Sequence, residues 1–188
     1  LEPSRPDFSP RGDLVAFQAY AGGAFHIWVM HPDGTGLRQI TTGHGDDREP
    51  RVSPDGSRIA FASDRAFEGS YDVWVAEIAT GALTRWTSSP ADEFEPAWSP
   101  ARDGEDEIAF VSGAGAFGST IEAVTASGRR RTLATTPRGT RIAAPSLSRD
   151  GKLAYVRFDG LHIPTSARLF VDGRAVGPFD DVFPFPPV

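Results

Sequence analysis

Residues 49–64 read EPRVSPDGSRIAFASD, and residues 5–20 read RPDFSPRGDLVAFQAY. Both place a Pro, a Ser-Pro turn and an alternating apolar run in the same order. In SPDG the Pro presets φ at the second turn position, the Asp can bond the backbone beyond it, and the Gly supplies a positive φ at the exit. The tetrapeptide is therefore written for a tight reversal between two strands. Aligned on the Ser that opens the turn, the motif recurs at Ser9, Ser53, Ser99 and Ser148, at intervals of 44, 46 and 49 residues. One four-stranded propeller blade per roughly 40 to 50 residues has this spacing.

Each unit opens on a short strand marked by Pro6, Pro50, Pro96 or Pro145, and continues through a turn into LVAFQ, RIAFAS, EIAFVS or LAYVRF. Third and fourth strands follow as HIWVM and LRQIT, then DVWVAEI and LTRWT, across the hairpin turns HPDGTG and ATGA. The third unit continues as TIEAV and RRTLA, joined by TASGR. Strands in the middle of a blade carry apolar residues on both faces, because a blade is sandwiched between two neighbours. Trp28 and Trp74 share a column and read as core. Glu122 breaks that column, so one face of the third blade is expected to be wet or contacted by something else. Arg11-Gly12-Asp13 occupies the turn slot and reads as a turn, not as an adhesive motif.

The predicted fold is all-β, with four-stranded antiparallel blades at about 4–41, 46–87, 92–134 and 141–178. A fifth opens at about 180–188, where DDVFPF repeats the spacing of DDREPR and DEFEPA. Such a stub is expected of a piece of a larger propeller of six to eight blades. Uncovered blade faces would then favour self-association through exposed edges.

Composition agrees with a turn-rich β protein. The chain has 188 residues, 39% of them hydrophobic, with 20 Gly and 16 Pro, which leaves little room for long helices. A net charge of -6 gives no electrostatic footprint for nucleic acid, and Arg129-Arg130-Arg131 is too short to track a phosphate backbone. No apolar run reaches membrane-spanning length, so no membrane insertion is expected. Cysteine is absent, which excludes disulfides and thiolate metal sites. The absence of Asn and the single Lys152 against eighteen Arg point to a GC-rich, bacterial genome.

The repeat resembles that of the TolB-type (PD40-like) six-bladed β-propeller, which runs approximately Asp-x-x-Glu-Pro-x-Trp-Ser-Pro-Asp-Gly-x-x-Ile-Ala-Phe. Residues 46–61 and 92–110 match it most fully. The third turn departs by expanding to SPARDGEDE, and the fourth unit, IAAPSLSRDG, has neither the acidic pair nor the Trp. The resemblance implies that the segment before each Pro crosses from one blade to the next near the mouth of a central channel. Carboxylates gather on those segments: Asp46, Asp47 and Glu49; Asp92, Glu93 and Glu95; Asp180 and Asp181. Oxygen-only groups suit calcium or the cationic groups of a partner. Alternatively they bond nearby backbone and fix the crossing.

By the same resemblance the chain is expected to be a non-catalytic interaction module of an exported or periplasmic protein, binding a protein or peptide at the channel mouth. A second reading makes it the substrate-positioning propeller of an exported amidohydrolase or prolyl-oligopeptidase-like hydrolase whose catalytic domain lies outside this chain. A third makes it a carbohydrate-binding propeller, with Phe67, Tyr71 and Phe117 as loop-tip aromatics. The chain itself shows no catalytic constellation. His26, His31, His44 and His162 lack the paired spacing of a metal hydrolase, and only His44 adjoins the acidic loop. There is no Gly-x-Ser-x-Gly elbow. GAGAFG at 113–118 has no following helix to make a phosphate cradle.

Overall fold

The computed structural model describes residues 1–102, 104–113, 118–160 and 166–176, without the side chains of 100–102. Its sixteen strands form four separate four-stranded antiparallel sheets, each a simple meander. Blade 1 is built from β1 (Glu2–Phe8), β2 (Val15–Ala21), β3 (Ala24–Met30) and β4 (Arg38–Gln39). Blade 2 comprises β5 (Asp47–Val52), β6 (Arg58–Ser63), β7 (Asp72–Glu77) and β8 (Leu83–Arg85). Blade 3 comprises β9 (Glu93–Arg102), β10 (Glu105–Ser112), β11 (Thr120–Thr125) and β12 (Arg130–Thr135). Blade 4 comprises β13 (Thr140–Leu147), β14 (Leu153–Asp159), β15 (Ser166–Val171) and β16 (Arg174–Val176). The opening strands β1, β5, β9 and β13 pack on one another in succession, which places them innermost.

The turn chemistry recurs in blades 1, 2 and 4. The Ser53 backbone N–H donates to the Arg58 carbonyl at 2.8 Å, while its hydroxyl accepts the Arg58 N–H at 2.9 Å. That hydroxyl also donates to Asp55, whose carboxylate accepts the Ser57 N–H at 3.0 Å. Ser9 and Ser148 close their turns with the same groups at shifted spacing: Ser9 donates to Asp13 and accepts the Leu14 N–H, and Ser148 donates to Asp150 and accepts the Lys152 N–H. Arg11 and Asp13 are bound to each other at 3.1 Å, so the Arg-Gly-Asp triplet is spent inside its turn. Most of the expanded third turn lies in strand: β9 runs on to Arg102 and β10 starts at Glu105, which stands opposite it.

Consecutive residues of a middle strand point to opposite neighbours. Phe61, Ile59, Trp74 and Ala76 face blade 1, where they meet Ala16, Ile27 and Val29. Ala60, Val73 and Val75 face blade 3 and meet Ile108, Phe110 and Val124, with Trp86 and Trp98 edge to face at 5.8 Å. Blades 3 and 4 meet through Ala109 and Ile121 against Ile142, Leu153, Tyr155 and Phe170.

Every opening strand is bulged at one equivalent position. Its ladder slips between Ser4 and Asp7, Arg48 and Arg51, Phe94 and Ala97, and Ala143 and Ser146. The residue before the Pro is left-handed in each case, with φ of 52° at Arg5, 57° at Glu49, 52° at Glu95 and 53° at Ala144. The Pro has no N–H to give the ladder, so pairing must break there. A left-handed L-residue costs about 1–2 kcal/mol and needs something to hold it.

Candidate functional site

What holds those residues is a carboxylate on the preceding blade. The backbone N–H of Glu95 donates to Glu49 Oε2 at 2.7 Å, and the N–H of Ala144 donates to Glu95 Oε2. Blade 1 carries Arg5 where blades 2 and 3 carry Glu, and the substitute acceptor for the Glu49 N–H is Gln18 Oε1 at 2.7 Å, on β2. Donor and acceptor thus run in one direction around the inner strands. Burial pushes the Glu49 carboxyl above its ordinary range, against the Glu95 N–H and the Arg5 guanidinium, which lies 3.8 Å away.

The first Asp of each crossing reaches back to the preceding blade. Asp46 Oδ1 accepts the Phe25 N–H at 2.8 Å, and Asp92 Oδ1 accepts the Tyr71 N–H at 3.2 Å. Burial alone would raise Asp46, but the Arg48 guanidinium and the Phe25 amide outweigh it and hold the carboxyl low.

The second acid of each crossing is inaccessible. Asp47 accepts Arg65 Nη2 on both oxygens at 2.7 Å and the Ser63 hydroxyl at 2.6 Å, with His26 Nδ1 at 3.4 Å. Gly45 makes this approach feasible, because a Cβ there would fall 2.7 Å from the Arg65 Cα. Glu93 accepts Arg130 Nη2 at 2.6 Å and the Ser89 hydroxyl at 2.9 Å. Both carboxylates have zero exposure, so neither offers an oxygen to solvent. The paired guanidiniums lie over aromatic faces: Arg65 is 5.7 Å from the Phe61 centroid and 5.5 Å from Trp74, and Arg130 is 5.2 Å from Phe110. Glu122, which broke the Trp column, pairs with Arg130 at 2.9 Å, and the guanidinium lies over Phe110 in that column.

The accessible inner surface is a groove of about 450 Å³ where all four opening strands converge. Phe8, 61% exposed, projects from β1, facing Arg51, Trp98, Pro145 and Leu147 on the other three. Its floor is tied across blades by Asp7 accepting the Val52 N–H at 2.8 Å and by the Trp98 indole donating to the Arg51 carbonyl at 2.9 Å.

Of the acids singled out in the sequence, Asp46, Asp47, Glu49, Asp92, Glu93 and Glu95 therefore lie at the blade crossings, each bonded to a neighbouring group. Asp180 and Asp181 lie outside the described residues, as do the fifth unit, Phe117 and His162. Among the described residues no three His, Asp or Glu are grouped to hold a metal ion. His44 is exposed. Tyr71 packs on Phe94 at a 4.7 Å centroid distance, whereas Phe67 is 75% exposed. The sequence does not single out Gln18 or Arg65, and His26, set aside there for want of metal-ligand spacing, proves to face Asp47. An amide within the apolar run VAFQA was the one signal for Gln18; nothing local marks Arg65.

Comparison with known proteins agrees with this fold. The model of the TolB beta propeller domain matches residues 3–154. The Tol-Pal system protein TolB of Gluconobacter oxydans is 36% identical over 99 residues, covering 50% of this chain and 22% of that protein. The chain thus spans only a minor part of the length of such relatives. The crystal structure of TolB from Acinetobacter baumannii superposes with a TM-score of 0.69 at 25% identity, over 91% of this chain and 41% of that one. A puromycin hydrolase structure shares the fold at 20% identity and a TM-score of 0.65, over 93% of this chain and 29% of that one. With the left-handed pre-proline bulge recurring in four successive blades and the family pattern running through most of its length, the chain belongs to the TolB β-propeller domain family.

Proposed function

We propose that this chain is a non-catalytic recognition module that binds a protein or peptide segment in its inner groove. The observation that carries the reading is the convergence of an exposed Phe8, Arg51 and the apolar Pro145 and Leu147 from different blades on one groove. An aromatic anchor beside an arginine is the composition of interface hot spots. The crossing acids support the reading from behind: they hold the inner strands rigid, so the groove is preorganised. The relatives named for the Tol-Pal system supply the partner class and favour a location outside the cytoplasm. Isothermal titration against Tol-Pal components of the source organism tests it. Binding that weakens about tenfold or more in Phe8→Ala or Arg51→Ala is expected. Binding indifferent to both substitutions overturns the site.

The fold shared with the puromycin hydrolase favours a second reading, in which the same groove admits substrate to a hydrolase domain elsewhere in a longer protein. A partner-independent effect of Phe8→Ala on peptide turnover by the longer protein would separate it from the first. Self-association draws support from blade 4, whose face away from blade 3 exposes Leu169 and Val176, a directly paired row with 38% and 39% exposure. Light scattering that reads a monomer at high protein concentration overturns it.

A further inference from the structure

Blades 2, 3 and 4 each deliver one guanidinium onto the aromatic column facing the preceding blade, from three different places in the repeat. Arg65 comes from beyond the end of β6, Arg130 from β12 and Arg157 from β14, where it lies 4.7 Å from the Phe170 centroid. The first two are neutralised by the buried acids Asp47 and Glu93. Blade 4 has no such acid. Ile142 stands in the equivalent place on the opening strand, directly opposite Arg157 in the β13–β14 ladder, just as Asp47 stands opposite Ser63.

Arg157 is consequently left with Asp159 on its own strand as its ionic partner, at 3.3 Å, and Asp159 also accepts the Ser166 hydroxyl at 2.7 Å. The contact with Asp159 is made by the Arg157 Nε, which is buried and meets the carboxylate as an ion pair without forming a hydrogen bond. Arg168 lies directly opposite it on β15, so the cross-strand neighbour of Arg157 is a second cation and not an acid. Beside Arg157 the interface with blade 3 is open, as a cleft of about 530 Å³. Leu133 and Ala134 form one wall, and Tyr155 and Phe170, stacked at 5.2 Å with 6° between their planes, form the other. Burial raises the Tyr155 phenol, which keeps its hydroxyl protonated as a donor. Asp172, at the far end, is engaged through Oδ1 by the Leu153 N–H at 3.0 Å.

We infer that this cleft between blades 3 and 4 binds a small carboxylate with an apolar or aromatic body, the carboxylate taking at Arg157 the place that Asp47 and Glu93 fill in the preceding blades. The apolar body lies along the walls, and the guanidinium supplies charge-assisted hydrogen bonds in a site already partly desolvated. The cleft is distinct from the inner groove, so its test is independent of the partner proposed there.

Phenylacetate and its neutral isostere phenylacetamide are the probes, read by thermal melting and by chemical shifts of the Arg157 side chain. Phenylacetate should raise Tm saturably, by roughly 3–5 °C at ten times its Kd, and shift the Arg157 Nε resonance, whereas the amide should do neither. Arg157→Met, which keeps the stem packed on Phe170, should weaken phenylacetate about tenfold or more. Ile142→Glu should abolish binding by placing an internal carboxylate opposite the guanidinium. If that variant does not fold, Arg157→Met decides alone. Equal responses to acid and amide, no response to either, or undiminished phenylacetate binding in Arg157→Met overturns the inference.

Discussion

Replacing Glu49 separates the roles of its charge and of its oxygen. Glu49→Ala removes the acceptor that holds the Glu95 N–H, at 2.7 Å, while Glu95 remains left-handed with a φ of 52°. A hydrogen bond to a charged group contributes about 1.5–3 kcal/mol, and leaving the half-buried amide unsatisfied adds a cost of up to the same order. The expected loss is therefore about 2–3 kcal/mol, read by urea denaturation as a lower midpoint at unchanged slope, or as a Tm lower by roughly 4–10 °C. Glu49→Gln keeps an acceptor oxygen and removes the charge that burial opposes, so it should fall within about 1 kcal/mol of the parent. The sign of its pH dependence follows from the raised Glu49 pKa. Between the unfolded and folded values the native state holds the proton more tightly, so stability falls as pH rises through that window. Glu49→Gln should accordingly gain on the parent at neutral pH and lose that gain below the ordinary Glu pKa of about 4.3. Equal destabilisation by Ala and Gln, or a Gln variant that gains on the parent only in acid, would refute the reasoning.

Three further outcomes test the surrounding structure. Asp47→Ala should cost about 3–5 kcal/mol in chemical denaturation, because it strands the Arg65 guanidinium beside Phe61 and Trp74; Asp47→Ala with Arg65→Met should recover part of that. The Asp55 carboxyl, held down to about 2 by the Ser53 hydroxyl, should titrate near that value by NMR, and Ser53→Ala should move it toward 3.8. Since the folded value lies below the unfolded one, the turn's contribution is present above the unfolded value and fades as pH falls through about 2. Millimolar calcium should leave Tm unchanged, given that the crossing acids of blades 2 and 3 are already bonded within the protein; a saturable rise would mean that they regroup around the ion.

The turn serines and the apolar alternation made the fold legible because both are local: a Ser-Pro-Asp-Gly reversal and a period of two are decided within a dozen residues. The crossing acids were legible as a group for the same reason, since they sit at a fixed distance before each Pro. Their partners were not. Arg65 and Arg130 reach comparable aromatic faces from unrelated places in the repeat, and only the stacking of sheets reveals that they do one job. Glu122 read as a flaw in an apolar column, whereas Arg130 completes it from a neighbouring strand. Gln18 compensates at long range for Arg5, a substitution visible in sequence whose consequence lies in the next blade.

The one-way succession of carboxylate and amide bears on how such arrays grow. A unit that receives its amide's acceptor from the unit before it and offers a glutamate to the unit after it can be copied in place with every donor still served. Tandem duplication at blade 2 or 3 is therefore neutral for the inner strands. Blade 4, with Ala144 at that position, has no carboxylate to hand on, so a unit placed behind it must find its acceptor on another strand, as Glu49 finds Gln18 on β2 of blade 1.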